Sequence, residues 1–325
     1  MPGSGPVRRP GGAPSELDLR RPTPETADMT STARTPGPFG RALCAMITPF
    51  TPAGDLDLEA ARRHARGLVA DGCDGLVLSG TTGESPTTTD AEKTALLRAV
   101  REAVGEDVPL IAGVGSADTR HTVRLARDAE AAGADGLLVV TPYYSRPPQA
   151  AVEAHFLRVA EATGIPLVLY DIPGRTGTRI GTDALLRLAE HPRIVAVKDC
   201  TYDLLAATKV MARTRLAYYS GCEELNLPLY ALGGAGYVST VANVAPRQVR
   251  AVLDAFDAGD TGRAARLNQL ALPLVEAVMA GGLPGTVTVK ALLDMGPVRE
   301  PLQPADRGTT DGLRGIYGEL LAATD

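Results

Sequence analysis

From Arg41 onward, short runs rich in Val, Ile and Leu alternate with longer Ala-, Leu-, Arg- and Glu-rich stretches of helical period. That alternation is the pattern of repeated βα units. The apolar runs predict strands at 42–48, 75–79, 109–114, 136–141, 166–171, 193–198, 216–220 and 236–240. The intervening periodicity predicts helices near 57–70, 89–104, 119–132, 149–162, 182–190, 203–213, 223–232 and 246–258. The strands are nearly continuous apolar runs, as expected for parallel strands covered on both faces. Eight of them predict an α/β fold, a closed (β/α)8 TIM barrel over 41–259. A doubly wound sheet is the alternative, but it would carry a Gly-rich fingerprint after its first strand, where this chain reads Thr48-Pro49-Phe50. After Asp260 the pattern is helical only, near 261–280, 285–294 and 308–323, which predicts a small C-terminal helical domain over 260–325.

Residues 1–40 are rich in Pro, Gly and Arg, hold no apolar stretch long enough for a signal peptide or a membrane span, and read as a disordered tail. Glu16, Asp18, Glu25 and Asp28 argue against an organellar transit peptide, and Met29 is a second candidate for the start of translation. The net charge of −5 comes with no basic run in the folded part, so neither a nucleic acid nor a membrane surface is expected as a partner, and a small molecule is. Cys44, Cys73, Cys200 and Cys222 form no CxxC pair and no His/Cys cluster at ligand spacing. They predict no zinc site and no disulfide framework, and they fit a reducing cytoplasm.

In a (β/α)8 barrel the site is built at the C-terminal ends of the strands. Those positions are unusually polar here: Thr48, Ser79 to Glu84, Gly115-Ser116, Thr141 to Tyr144, Tyr170-Asp171, Lys198-Asp199, Ser220-Gly221 and Ser239. Lys198 stands out, because only four lysines (Lys93, Lys198, Lys209, Lys290) occur among 33 Lys and Arg residues, and this one ends the run Ile194-Val195-Ala196-Val197. A solvated charge could be Arg in such a chain; an amine that must lose its proton to attack a carbonyl cannot. The position admits two readings, a desolvated nucleophile or an ion-pair partner of Asp199 or Asp171.

The segment Gly80-Thr81-Thr82-Gly83-Glu84-Ser85 offers clustered N–H groups and two hydroxyls, either a cradle for a small carboxylate or a turn followed by a helix cap. Tyr170 is placed to move protons beside an imine or simply to cap the core with its OH in water. Arg175, in the Asp171 to Gly177 loop, either grips a carboxylate or decorates that loop.

Taken in order, GTTGES at 80–85, TPYY at 141–144, YDIPGRTG at 170–177 and VKD at 197–199 resemble the dihydrodipicolinate synthase/N-acetylneuraminate lyase superfamily, over roughly residues 39–300. The resemblance implies a pyruvate-dependent class I aldolase-type lyase in which pyruvate condenses with Lys198 as a covalent imine, with no metal or organic cofactor. It further implies a proton relay of Tyr170, Thr81 and Tyr144, the last reaching in from a neighbouring subunit of a dimer or tetramer. Thr82 would hold the pyruvate carboxylate, Arg175 the carboxylate of aspartate 4-semialdehyde, and Gly221 and Val238 would complete the substrate-binding set. An arginine at 175 suits aspartate semialdehyde, whereas lyases acting on a sugar generally lack it. The implied pathway is diaminopimelate and lysine synthesis. The alternatives are a pyruvate aldolase or hydratase with a different aldehyde partner, or a silent metabolite-binding paralogue.

Two features depart from the family. Ser220-Gly221-Cys222-Glu223 replaces the usual Ser-Gly-Asp-Asp after strand 7, and Asp199-Cys200-Thr201 follows the lysine where Asp-Ala-Lys is common. Strands 6 and 7 are neighbours, so Cys200 and Cys222 are expected close together, either reshaping the pocket or as buried spectators. In addition, lysine-inhibited members carry histidine, asparagine and glutamate at positions matching Asp90, Lys93, Ala117 and His121, so weak or absent lysine inhibition is expected here.

Overall fold

The computed structural model describes residues 37–279 and 281–324. Most of the tail assigned to 1–40 therefore lies outside the described residues. Eight strands form a closed, all-parallel barrel in sequence order: β1 (Ala42–Ala45), β2 (Gly75–Leu78), β3 (Leu110–Gly113), β4 (Gly136–Val140), β5 (Leu167–Asp171), β6 (Ile194–Asp199), β7 (Ala217–Ser220) and β8 (Gly236–Ser239). The barrel closes where β8 pairs with β1, Leu43 opposite Val238.

The covering helices are α1 (Leu58–Ala70), α2 (Asp90–Val104), α3 (Thr119–Ala131), α4 (Gln149–Glu161), the single turn α5 (Pro173–Thr176), α6 (Thr182–Leu188), α7 (Leu204–Met211), α8 (Asn226–Ala231) and α9 (Pro246–Asp257). Their starts follow from side chains that accept the orphan N–H groups of the first turn. Asp57, Asp118 and Asp203 cap α1, α3 and α7 in this way, and Thr89 and Glu92 form a reciprocal capping box on α2.

Side chains alternate across each strand, which sorts the core into two layers. Leu76, Leu137, Leu169 and Val197 point out against the helices. Leu43, Val77, Ile111, Val168, Ala196 and Val238 fill the barrel interior. The same alternation sends Tyr170 and Lys198 inward and their successors Asp171 and Asp199 outward.

The packed chain begins before the boundary placed at residue 41. Phe39 is 3% exposed and packs into the interior, where its N–H donates to the Tyr219 hydroxyl. A large ring fits there because the lower end of a barrel needs a plug. The C-terminal helices α10 (Thr261–Met279), α11 (Gly285–Leu293) and α12 (Arg307–Thr324) share a core with the barrel: Leu274, Val278, Val289 and Leu320 pack with Ala42, Ile47 and Tyr237.

The helix expected over 223–232 is shorter. Glu223–Leu225 is a 3-10 turn, and α8 starts at Asn226. Pro228 has no N–H to give and is tolerated only in a first helical turn, while the Glu223 carboxylate is drawn inward to β8, as described below. No helix among the described residues is long and apolar enough to cross a membrane.

Candidate active site

Lys198 sits one residue from the end of β6, with Tyr170 of β5 and Tyr219 of β7 in register on either side. Its side chain is buried. The ammonium nitrogen lies 4.3 Å from the centroid of the Tyr170 ring. Burial lowers its pKa, opposed by the charges of Cys200, Glu223 and Cys222. Asp171 and Asp199, the two acids considered as ion-pair partners, lie on the outward face and make no ion pair with it among the described residues. Asp199 instead accepts from the Thr201 N–H at 2.7 Å. The nucleophile reading of Lys198 is the one that this geometry favours.

Tyr170 is buried, and desolvation holds its hydroxyl well above the ordinary phenol value. That hydroxyl lies 3.5 Å from Thr81 Oγ1. The loop carrying Thr81 folds on itself: the N–H groups of Gly83 and Ser85 donate to the Gly80 carbonyl, and that of Glu84 to Thr81. Those of Thr81 and Thr82 are left without an acceptor among the described residues, so two adjacent donors remain for an anion. Thr82 Oγ1 lies 2.9 Å from Thr240 Oγ1.

Gly221 is in place for a steric reason. A Cβ there would come 2.8 Å from Lys198 Cε and would overlap the Cys200 sulfur. Val238 is buried in the interior of β8, packed with Tyr170 and Ala196. Arg175 is exposed on the α5 turn and lines the opening of a cavity of about 380 Å³, together with Thr81, Tyr170, Tyr143 and Ile172. Tyr144 does not join them. It is 94% exposed, at a backbone φ of 73°, and lines no part of that cavity.

Two supporting residues had no sequence signal strong enough to be singled out. Glu223 is fully buried and accepts from Ser239 Oγ, from the N–H groups of Thr240 and Val241, and from Asn226 Nδ2. It ties the loop after β7 to the loop after β8 and so holds Thr240 against Thr82. Lys290, from α11, reaches Glu84 of the Gly80–Ser85 segment. An acid after a barrel strand was legible; its partners, far away in sequence, were not. Among the described residues no cluster of His, Cys, Asp and Glu is placed to hold a metal ion.

A closed parallel barrel with a desolvated amine, a phenol and a threonine hydroxyl gathered at the C-terminal ends of its strands is the architecture of a barrel enzyme. More narrowly, the chain belongs to the dihydrodipicolinate synthetase family, whose profile matches residues 38–316. It is 71% identical over 290 residues to 4-hydroxy-tetrahydrodipicolinate synthase 1 of Streptomyces coelicolor, covering 88% of this chain and 95% of that one. Among solved structures it is similar to a dihydrodipicolinate synthase of Bacillus anthracis, with TM-score 0.84 and 36% identity over 87% of this chain and 98% of the other. A dihydrodipicolinate synthase of Cyanidioschyzon merolae, solved with lysine bound, matches with TM-score 0.84 and 34% identity over the same shares.

Proposed function

We infer that this chain catalyses the 4-hydroxy-tetrahydrodipicolinate synthase reaction, the condensation of pyruvate with L-aspartate 4-semialdehyde that feeds diaminopimelate and lysine synthesis. The observation that carries the mechanism is the placement of Lys198: buried, with its pKa lowered by that burial, and held against the Tyr170 ring.

In this reading the neutral Lys198 amine attacks the keto carbon of pyruvate, and water leaves as the imine forms. The imine is the electron sink, so the reaction needs no metal or organic cofactor. A methyl proton is lost to give an enamine, which attacks the aldehyde carbon of the semialdehyde. The substrate's own amine then displaces Lys198 by transimination and closes the ring. Tyr170 and Thr81 carry protons for imine formation, Thr82 and its free N–H hold the pyruvate carboxylate, Gly221 and Val238 shape the pocket, and Arg175 takes the second carboxylate at the entrance.

Tyr144 completes the relay from a second copy of the chain, in a dimer or tetramer. In support, the phenol is 94% exposed, at a left-handed backbone φ of 73°. The four free, buried cysteines fit a reducing cytoplasmic setting.

Borohydride reduction in the presence of pyruvate, followed by peptide mapping, tests the core of this reading. The expected product is a reduced pyruvate adduct on Lys198. An unmodified Lys198 in protein that still turns pyruvate over removes the mechanism.

A further inference from the structure

Cys200 and Cys222 are not accounted for by the reaction, yet both sit in the interior cluster that contains Tyr170. The strand pairing ends with Asp199 opposite Ser220, and the Gly221 N–H donates to the Asp199 carbonyl at 2.9 Å. Continuing that register sets Cys200 beside Gly221 and Cys222 one step further along. Cys222 has extended backbone angles, φ −114° and ψ 116°, and its side chain packs in the same interior cluster as Cys200. Strands about 4.8 Å apart with a rise of about 3.3 Å per residue put the two Cα atoms about 6 Å apart, within the range that a disulfide bridges. Each of the two sulfurs bears on the other's ionisation, and Cys200 bears on that of Tyr170.

We propose that Cys200 and Cys222 form a redox modification site at the barrel mouth, closed to a disulfide by a small peroxide and thereby switching Lys198 off. The Cys200 thiolate attacks one peroxide oxygen, breaking the O–O bond; the other oxygen leaves and takes up a proton as water. The Cys222 sulfur then attacks the resulting sulfenic acid, expelling its oxygen as a second water. Two thiols are oxidised, one peroxide is reduced to two waters, and a dithiol reductant reverses the change.

The two sulfurs differ as this sequence requires. The Cys200 thiol is held below its ordinary value, first by the hydrogen bond from Cys222 and then, against burial, by the Lys198 charge. That of Cys222 is pushed up by its hydrogen bond to Cys200 and by burial. Cys200, whose sulfur shares the space above Gly221 with the Lys198 stem, is the attacking group and Cys222 the resolving one. Tyr202, two residues after Cys200, is an exposed ring whose hydroxyl donates at 2.8 Å to Glu224, two residues after Cys222. Cys44 and Cys73 are also neighbours, but they lie in the helix-facing core, with Cys44 wholly enclosed.

Closing the bridge disables the site because there is no spare room. Cys200 Sγ and Lys198 Cε already crowd the same point above Gly221. Drawing the Cys200 sulfur to bonding distance from Cys222 moves it within the space that it shares with the lysine stem, and the stem is displaced with it. A displacement of about 1 Å costs on the order of 100-fold in a positioned reaction. This consequence rests on the catalytic reading of Lys198; formation of the bridge does not.

The test treats the reduced full-length protein with hydrogen peroxide, then alkylates, digests and maps the peptides while following pyruvate turnover and borohydride trapping on the same samples. The expected result is a cross-link between Cys200 and Cys222, at least tenfold loss of both readouts, and recovery with dithiothreitol. Cys222→Ser is expected to lose the cross-link and the recovery, whereas the Cys44→Ser/Cys73→Ser double variant keeps both. A cross-link confined to Cys44 and Cys73, oxidation without any cross-link, or a bridged protein with unchanged turnover each overturns the proposal. Reduced protein that never traps pyruvate counts against the catalytic reading instead.

Discussion

The Lys290 ammonium lies 2.5 Å from a carboxylate oxygen of Glu84, with both side chains sealed from solvent. Glu84 sits at a left-handed φ of 55° in the loop that carries Thr81 and Thr82, and its other oxygen accepts from the Arg299 N–H at 2.9 Å. The helices after the barrel thus fix the shape of the Gly80–Ser85 loop. Lys290→Met leaves Glu84 buried and unpaired, which costs about 3–5 kcal/mol. Denaturant unfolding should show that loss, together with a raised KM for pyruvate; the double replacement Glu84→Leu/Lys290→Met should recover much of the stability but not the KM. Wild-type stability in the single variant would refute the pairing.

Tyr170→Phe keeps the ring beneath Lys198 and deletes the hydroxyl that lies 3.5 Å from Thr81. Loss of a positioned proton carrier is worth about 10²–10⁴-fold in rate. Turnover should fall within that range while the borohydride adduct still forms, more slowly. A kcat within twofold of wild type removes Tyr170 from the relay.

Gly221→Ala places a methyl group 2.8 Å from Lys198 Cε. Gly221 is not at a left-handed φ, so the fold should tolerate it and circular dichroism should be unchanged. The displaced lysine should trap pyruvate about 100-fold more slowly. Unaltered trapping would mean that the lysine has another way to stand.

The barrel and the lysine at its mouth were legible because both follow from local pattern: continuous apolar runs for the strands, and one rare amine at the end of one of them. Inward and outward alternation then weighs against one of the two readings of Lys198 that the sequence had left open, since Asp171 and Asp199 face the helices. What the chain did not disclose are contacts between distant segments. Lys290 looked like an ordinary residue of a terminal helix, and Glu223 like the acidic start of one; their roles exist only once the barrel has closed. Phe39 shows the same limit, because nothing near it in a Pro- and Gly-rich stretch announces that a barrel floor awaits a ring.

Asp171 is an acid whose burial raises its pKa from 3.8 to about 7, with the charge of Asp199 adding to that. One of its oxygens accepts from the Ile180 N–H at 3.1 Å and the other has no partner among the described residues. The folded state therefore holds this proton more tightly than the unfolded chain. Stability from this group is full below the unfolded pKa and declines as pH rises through the folded one. Asp171→Asn keeps the Ile180 bond and should be the more stable protein at pH 8, by on the order of 2–4 kcal/mol. The gain should vanish near pH 4; a gain independent of pH would mean that the carboxyl is not protonated in the fold.

The arm of the cavity that runs to Asp90, Lys93 and His121 bears on inhibition by lysine, the pathway's end product. Asp90 is already committed: both its oxygens lie 3.0 Å from His121 Nε2, and Arg124 approaches at 3.3 Å. Lys93 fills the neighbouring space and donates to the carbonyls of Ser85 and Thr88. A second ammonium entering here would face one of like charge and a carboxylate already engaged by His121 and Arg124. Free lysine should therefore inhibit weakly or not at all. Initial rates with pyruvate and aspartate semialdehyde over a lysine titration check this. Half-maximal inhibition at low millimolar lysine would show that Lys93 and Asp90 rearrange to receive it, and Lys93→Ala should then tighten it further.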